Sequence, residues 1–187
     1  MAAGYTVRTA FVCEEIADVS LSLPQGIEVV PVGRNVYERI AYRGGTEGIV
    51  AVVDTKKTTL ADLRLSPSPL IVVLESVEKP GNLGAVLRSA DAAGADAVVV
   101  CDPLTDLYNP NLIRSAVGAI FTVPCVACST EECIAFFKEK GIKMVDFKIF
   151  ESHLVRELHP FVKQGKVKRI LSVFKRYADK LSCRSFT

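Results

Sequence analysis

Two short runs constrain this chain more than anything else in it. LIVVLE at 70–75 and ADAVVV at 95–100 are apolar at almost every position, not at every second one. A strand with one face in water alternates apolar with polar residues. A strand that is apolar throughout is covered on both faces, as in a parallel sheet with helices above and below. The segments between such runs carry helix signals: STEE from Ser129 is a capping box, Gly141 is a helix stop, and Pro110 sits just inside a start that Asn109 would cap. The expected order is strand 70–75, helix 83–93, strand 95–101, helix 110–119, strand 121–127, helix 130–140 and strand 142–147. This is an α/β core with a mainly parallel sheet.

Ahead of this core, YTVRTAFVC at 5–13 and IEVVPVG from Ile27 read as strands, RNVYERIAYR has helical spacing, and GIVAVVDT from Gly48 is a third strand. These make a small α/β lobe over 1–55. KKTTLADLRLSPSP at 56–69, polar and with two prolines, reads as a linker to the core at 70–148. With 49% hydrophobic and 24% charged residues the chain is not disordered. No apolar run reaches the roughly 18 residues a membrane helix needs, and MAAGYTVRTAFVCEE has no basic region leading into an apolar one, so a cytoplasmic protein without membrane contact is expected.

Six cysteines lie mostly in apolar stretches, where reduced buried thiols are the simple reading. Cys125, Cys128 and Cys133 contain one C-x-x-C spacing that could hold zinc or do redox work, but there is no second pair, and no metal is expected. Net charge is only +2, yet the tail is basic: Lys163, Lys166, Lys168, Arg169, Lys175, Arg176, Lys180 and Arg184 face the single acid Asp179. That fits a solvated helix face or a surface that attracts a phosphate backbone.

In KPGNLGAVLR a loop leaves the carboxyl end of a parallel strand and enters a helix, the usual ligand position in open α/β sheets. It is neither G-x-G-x-x-G nor a Walker loop, so its shape alone is a weak anion-site signal. Asn82 could be the helix N-cap and Arg88 could pair with Asp91 on a solvated face. NPNLIRSAVGAIFTVP repeats the same kit, with Asn109 and Asn111 at a helix start and Arg114 along it.

ESVEKPGNLGAVLRSADAAGADAVVV followed by NPNLIRSAVGAIFTVP resembles motifs one and two of the SpoU (TrmH-type) branch of the SPOUT RNA methyltransferases. The preceding lobe resembles the ribosomal-protein-like substrate-binding domain that many of these enzymes carry. The resemblance implies transfer of a methyl group from S-adenosylmethionine to a ribose 2'-hydroxyl of rRNA or tRNA, on an α/β fold with a C-terminal trefoil knot, by a homodimer. By motif position, Asn82 and Arg88 would be the catalytic residues. Glu78, Lys79, Gly84, Asn111, Arg114 and Ser115 would face the RNA, together with Lys168 and Arg169 from the tail. A guanidinium stays protonated, so Arg88 would serve by gripping a phosphate and orienting the ribose, not as a base.

The third family motif is missing. After GIKMVDFKIF the family continues through a glycine-rich segment and a Ser-Leu-Asn run that supply the knot and most of the cofactor pocket, whereas this chain has only Gly165 and no Ser-Leu-Asn. No residue is therefore assigned to the cofactor, the knot is expected to be incomplete, and an inactive RNA-binding remnant is the alternative to an enzyme. The stretch GKVKRILSVFKRYADKLSCRSF is similar to the basic helix with which such enzymes often begin. A helical tail is expected over 149–187, with Val167, Ile170, Leu171, Phe174 and Ala178 at helical spacing.

Overall fold

The computed structural model describes residues 4–18, 23, 25–41, 47–146 and 169–174, and its internal contacts divide the chain into two units, 1–56 and 57–187. In the first unit β1 (Val7–Val12) is the middle strand of three, parallel to β2 (Glu28–Pro31) and antiparallel to β3 (Ile49–Val53). Helix α1 (Arg34–Ile40) brings Tyr37 against Cys13 and Ala41, with Ile16, Val32 and Val50 at the edge. The ring is buried and its hydroxyl oxygen accepts the Gly48 N–H at 3.0 Å. Gly48 has φ +74, and a Cβ there would stand 2.3 Å from the backbone nitrogen of Ala17, so only glycine fits.

The second unit begins with the segment expected to be a linker. It is packed: Leu60, Leu63 and Leu65 lie against the sheet, and the Asp96 carboxylate accepts the N–H groups of Ser66 at 2.7 Å and Leu70 at 2.8 Å. Five strands follow in the order β6-β5-β4-β8-β7: β4 (Leu70–Glu75), β5 (Ala97–Cys101), β6 (Cys125–Cys128), β7 (Met144–Asp146) and β8 (Arg169–Phe174). All neighbours are parallel. The α/β class with a mainly parallel sheet is thus as expected.

The continuous apolar runs have their reason in the two faces of this sheet. Val72, Leu74, Val98 and Val100 point to one side, where Leu83 and Leu87 of α2 (Pro80–Ala92), Leu112 of α3 (Pro110–Ala116) and Ile120 of α4 (Ala119–Thr122) cover them. Ile71, Val73, Ala97, Val99 and Cys101 point to the other, against Cys133 and Phe137 of α5 (Thr130–Glu139). Every residue of β5 is buried. At roughly 1.5–3 kcal/mol for each large aliphatic side chain removed from water, this strand and β4 anchor the unit.

Helix termini follow the sequence in part. Asn109 caps α3, its side chain accepting the Asn111 N–H at 2.9 Å, and Ser129 and Glu132 form the capping box of α5. The helix expected over 110–119 is broken, because Val117 (φ 49) and Gly118 (φ 90) both turn left-handed between α3 and α4. Asn82 is not an N-cap. The helix starts earlier, with Lys79 at the cap position and Pro80 at the first helical one, where a proline's missing N–H costs nothing.

The expected helical tail is corrected at 169–174, which is strand β8 inserted between β4 and β7, with Leu70 beside Arg169 and Glu75 beside Phe174. A short apolar run such as RILSVF satisfies helical and strand periodicity alike. The deciding demand comes from β4, whose second edge would otherwise leave buried backbone groups unpaired. The rest of the tail, and the crossing where the knot was expected, fall on 147–168 and 175–187, outside the described residues.

Candidate functional site

The motif-one loop leaves β4 at Glu75 through Ser76, a non-glycine residue at φ 50 whose N–H donates to the Cys101 carbonyl at 2.9 Å. Asp102, one step past the end of β5, is likewise left-handed at φ 44 and donates its N–H to the Cys128 carbonyl at 2.9 Å. Left-handed backbone at non-glycine residues costs energy and collects at functional edges. The signal in the sequence was only that each stands just past the end of a largely apolar strand. From Ser76 the loop carries exposed Glu78 and Lys79 to the first turn of α2, which no side chain caps. An uncapped helix N-terminus beside a lysine favours an anion.

Helices α2 and α3 meet at Gly84. A Cβ there would lie 2.0 Å from Ser115 Oγ, 2.8 Å from Ser115 Cβ and 2.9 Å from the Ala116 nitrogen, so the helices approach through a gap that only glycine leaves. Ser115 Oγ donates to the Leu112 carbonyl at 3.1 Å, with the Pro80 carbonyl 3.4 Å away. Arg88 Nη1 donates to the Ser115 carbonyl oxygen. The expected pairing of Arg88 with Asp91 is absent from this arrangement: Asp91 accepts instead from Thr122 Oγ1 at 2.9 Å. Gly84 of motif one therefore packs closely on Ser115 of motif two, and Arg88 hydrogen-bonds to it.

The remaining expected residues are placed as follows. Asn82 and Arg114 are exposed, and Asn111 is half-buried at the start of α3. Asn82 and Arg88, six positions apart on one helix, sit about 9 Å apart along the axis and about 120° apart around it, so they reach different parts of any ligand. Lys168 lies outside the described residues. Arg169 opens β8 beside Leu70, at the amino end of the sheet, whereas the motif-one loop leaves the carboxyl end of β4. A strand of six residues spans roughly 17–20 Å, so the backbone position of Arg169 lies at the other end of the strands from that loop.

The cysteines sort differently from their spacing. Cys125 packs on the α2 side of the sheet, while Cys128 and Cys133 join Cys101, which comes from the neighbouring strand. Hydrogen bonds from Cys101 and then Cys133 stabilise the thiolate of Cys128 and pull it down to about 4, while the bond to Cys128 pushes Cys101 up. Among the described residues no helix is long and apolar enough to cross a membrane.

Residues 69–173 match the model of the SpoU rRNA Methylase family. Over 122 residues the chain is 31% identical to the 23S rRNA (guanosine(2553)-2'-O)-methyltransferase RlmP of Bacillus subtilis, covering 65% of this chain and 47% of that protein. A crystal structure of an RNA 2'-O ribose methyltransferase superposes with a TM-score of 0.70 at 30% identity, over 92% of this chain and 66% of that one. The SpoU methyltransferase AviRb from Streptomyces viridochromogenes, solved in complex with AdoMet, shares the fold, with a TM-score of 0.68 at 21% identity over 95% of this chain and 68% of that one. The chain spans under half the length of the curated relatives it matches. The family match runs from the entry into β4 through nearly all of β8, more than half of the sequence, and the chain belongs to the SpoU rRNA methylase family.

Proposed function

We propose that the chain transfers a methyl group from S-adenosylmethionine to a ribose 2'-hydroxyl of ribosomal or transfer RNA, and that it acts as a homodimer in the cytoplasm. The observation that carries this reading is the joint of Gly84, Arg88 and Ser115, which ties the two family motifs into one rigid surface beside an uncapped helix start. The relatives methylate rRNA at 2'-oxygens, as their names state.

The chemistry open to these residues is positional. Arg88 has five N–H donors and gives one to Ser115, so the guanidinium is aimed while its other N–H groups can grip a phosphate. It stays protonated and is no base. Its contribution is to hold the ribose and to place positive charge where the 2'-oxygen loses its proton. Asn82, a turn and a half earlier, would take a second polar group of the same nucleotide.

The methyl donor itself is supported by the SpoU relative solved in complex with AdoMet. At the carboxyl edge of the sheet Thr130 Oγ1 lies 2.6 Å from the Asp102 carboxylate, to which its single proton is donated, and 3.2 Å from that of Glu75. Calorimetric titration with S-adenosylmethionine, followed by transfer of labelled methyl to rRNA, tests the proposal. Saturable binding and label at a ribose support it; a well-folded chain that binds RNA but no cofactor would be the inactive remnant instead.

A further inference from the structure

On the α5 face of the sheet, at its carboxyl edge, three thiols converge from three elements. Cys101 ends β5, Cys128 ends β6 in register beside it, and Cys133 comes from the start of α5. Their sulfur atoms all lie within 4.8 Å of one another, and none is in a disulfide. Cys101 and Cys133 are buried, and half-buried Cys128 gives the cluster its contact with solvent.

Burial alone does not account for this. A cysteine used as a small hydrophobe needs only apolar neighbours, and Cys13 is such a residue, packed by Tyr37 and Ala41. Three sulfurs facing one another leave weak donors and acceptors to satisfy among themselves. The same spacing suits a soft metal ion, since thiolates bound to zinc at about 2.3 Å in tetrahedral geometry stand just under 4 Å apart. Small side-chain rotations close that difference. The surroundings are acidic as well. Asp102 follows Cys101 directly and takes the Thr130 hydroxyl at 2.6 Å, and Glu132, next to Cys133, takes the Ser129 N–H at 2.8 Å. Two carboxylates in the turns that carry the thiols add negative charge around the cluster, which attracts a cation.

We propose that Cys101, Cys128 and Cys133 bind one zinc ion as thiolates, with the fourth position open toward solvent beside Cys128. The ion clamps the ends of β5 and β6 to α5, so its first effect is on stability. The site is independent of the methyl-transfer reading, because none of its ligands touches the Gly84, Arg88 and Ser115 joint.

The test uses the full chain, reduced with a phosphine and stripped of metal with a chelator, then titrated with zinc against a chromophoric competitor and with cobalt(II) under argon. One equivalent should bind, raise the melting temperature, and with cobalt give thiolate charge-transfer bands and the visible bands of tetrahedral coordination. Cys128→Ser and Cys133→Ser should each weaken zinc by at least about 100-fold, the upper end of what outer-shell partners give, while Cys125→Ser binds as the parent does. Because Cys101→Ser alters a buried strand and could fail to fold, Cys128→Ser at the half-buried strand end carries the argument, and its metal-free melt should match that of the metal-free parent. A folded, reduced chain that takes no zinc, or takes only copper(I), overturns the proposal. So does zinc binding of parental strength in Cys128→Ser and Cys133→Ser.

Discussion

Gly84 and Ser115 stand so close that a methyl group on the first would lie 2.0 Å from the hydroxyl oxygen of the second. Helices α2 and α3 owe their distance to this pair. Gly84→Ala forces them apart, a cost of about 1–3 kcal/mol for overpacking that better helix propensity offsets by at most about 1 kcal/mol. Urea denaturation should show a net loss of stability. Adding Ser115→Ala should restore only part of it, since Ser115 Cβ and the Ala116 nitrogen would still crowd the new methyl at 2.8 and 2.9 Å. Full rescue would mean that the hydroxyl alone sets the spacing.

Arg88→Lys separates orientation from charge. Lysine keeps the positive charge but loses the fork that engages the Ser115 carbonyl and a phosphate together. Turnover on RNA should fall by about 100-fold, within the range seen when one oriented donor is removed. Arg88 is exposed and one hydrogen bond nets about 1 kcal/mol, so the melting curve should barely move. Undiminished turnover in the lysine variant would remove the orienting role.

Tyr37→Phe tests the first unit alone. The hydroxyl is the acceptor for the Gly48 N–H in a buried position, and Gly48 cannot be replaced without striking Ala17. Deleting the acceptor strands a buried donor, which costs about 1–3 kcal/mol. Hydrogen exchange at the Gly48 amide should speed up first, and an unchanged exchange rate would show that the bond does not hold the turn.

Ser129→Ala should cost about 1 kcal/mol, measured as a drop in denaturation midpoint, because it removes half of a reciprocal cap on α5. The same change at Asn82 should leave helix stability nearly untouched, since Asn82 lies inside the first turn of α2 and Lys79 occupies the cap position.

That contrast marks what the sequence could and could not carry. Ser129 with Glu132, and Asn109 before Pro110, are local signals: the partner is three residues away or fewer, so the pattern and the bond are the same thing. The buried strands were legible for a similar reason, as LIVVLE and DAVVVC admit few other environments. Asn82 misled because Pro80 started the helix earlier than the asparagine suggested. β8 was hidden because RILSVF fits two periods and its choice depends on β4, about a hundred residues away in sequence by the paired positions Leu70 and Arg169. The thiol cluster was half visible: Cys128 and Cys133 share a local spacing, but Cys101 joins them only through strand register. Whatever depends on which strand lies beside which cannot be read from spacing.

RNA binding offers the last test, because it tells the two ends of the sheet apart. If RNA phosphates sit at the carboxyl edge, by Lys79 and the start of α2, affinity for an rRNA fragment should fall steeply with salt, and Lys79→Ala should lower the slope of log K against log salt by about one. Glu78, exposed next to Lys79, repels the same phosphates, so Glu78→Gln should tighten binding modestly with little change in slope. Arg169 begins β8 at the amino edge, and Arg169→Ala should change neither affinity nor slope. The reverse pattern, a slope that responds to Arg169 and ignores Lys79, would move the RNA track to the opposite end of the strands and separate it from the Gly84, Arg88 and Ser115 joint. Charge alone cannot make this distinction, since both residues are cations in a chain of net charge +2; only their places along the paired strands separate them.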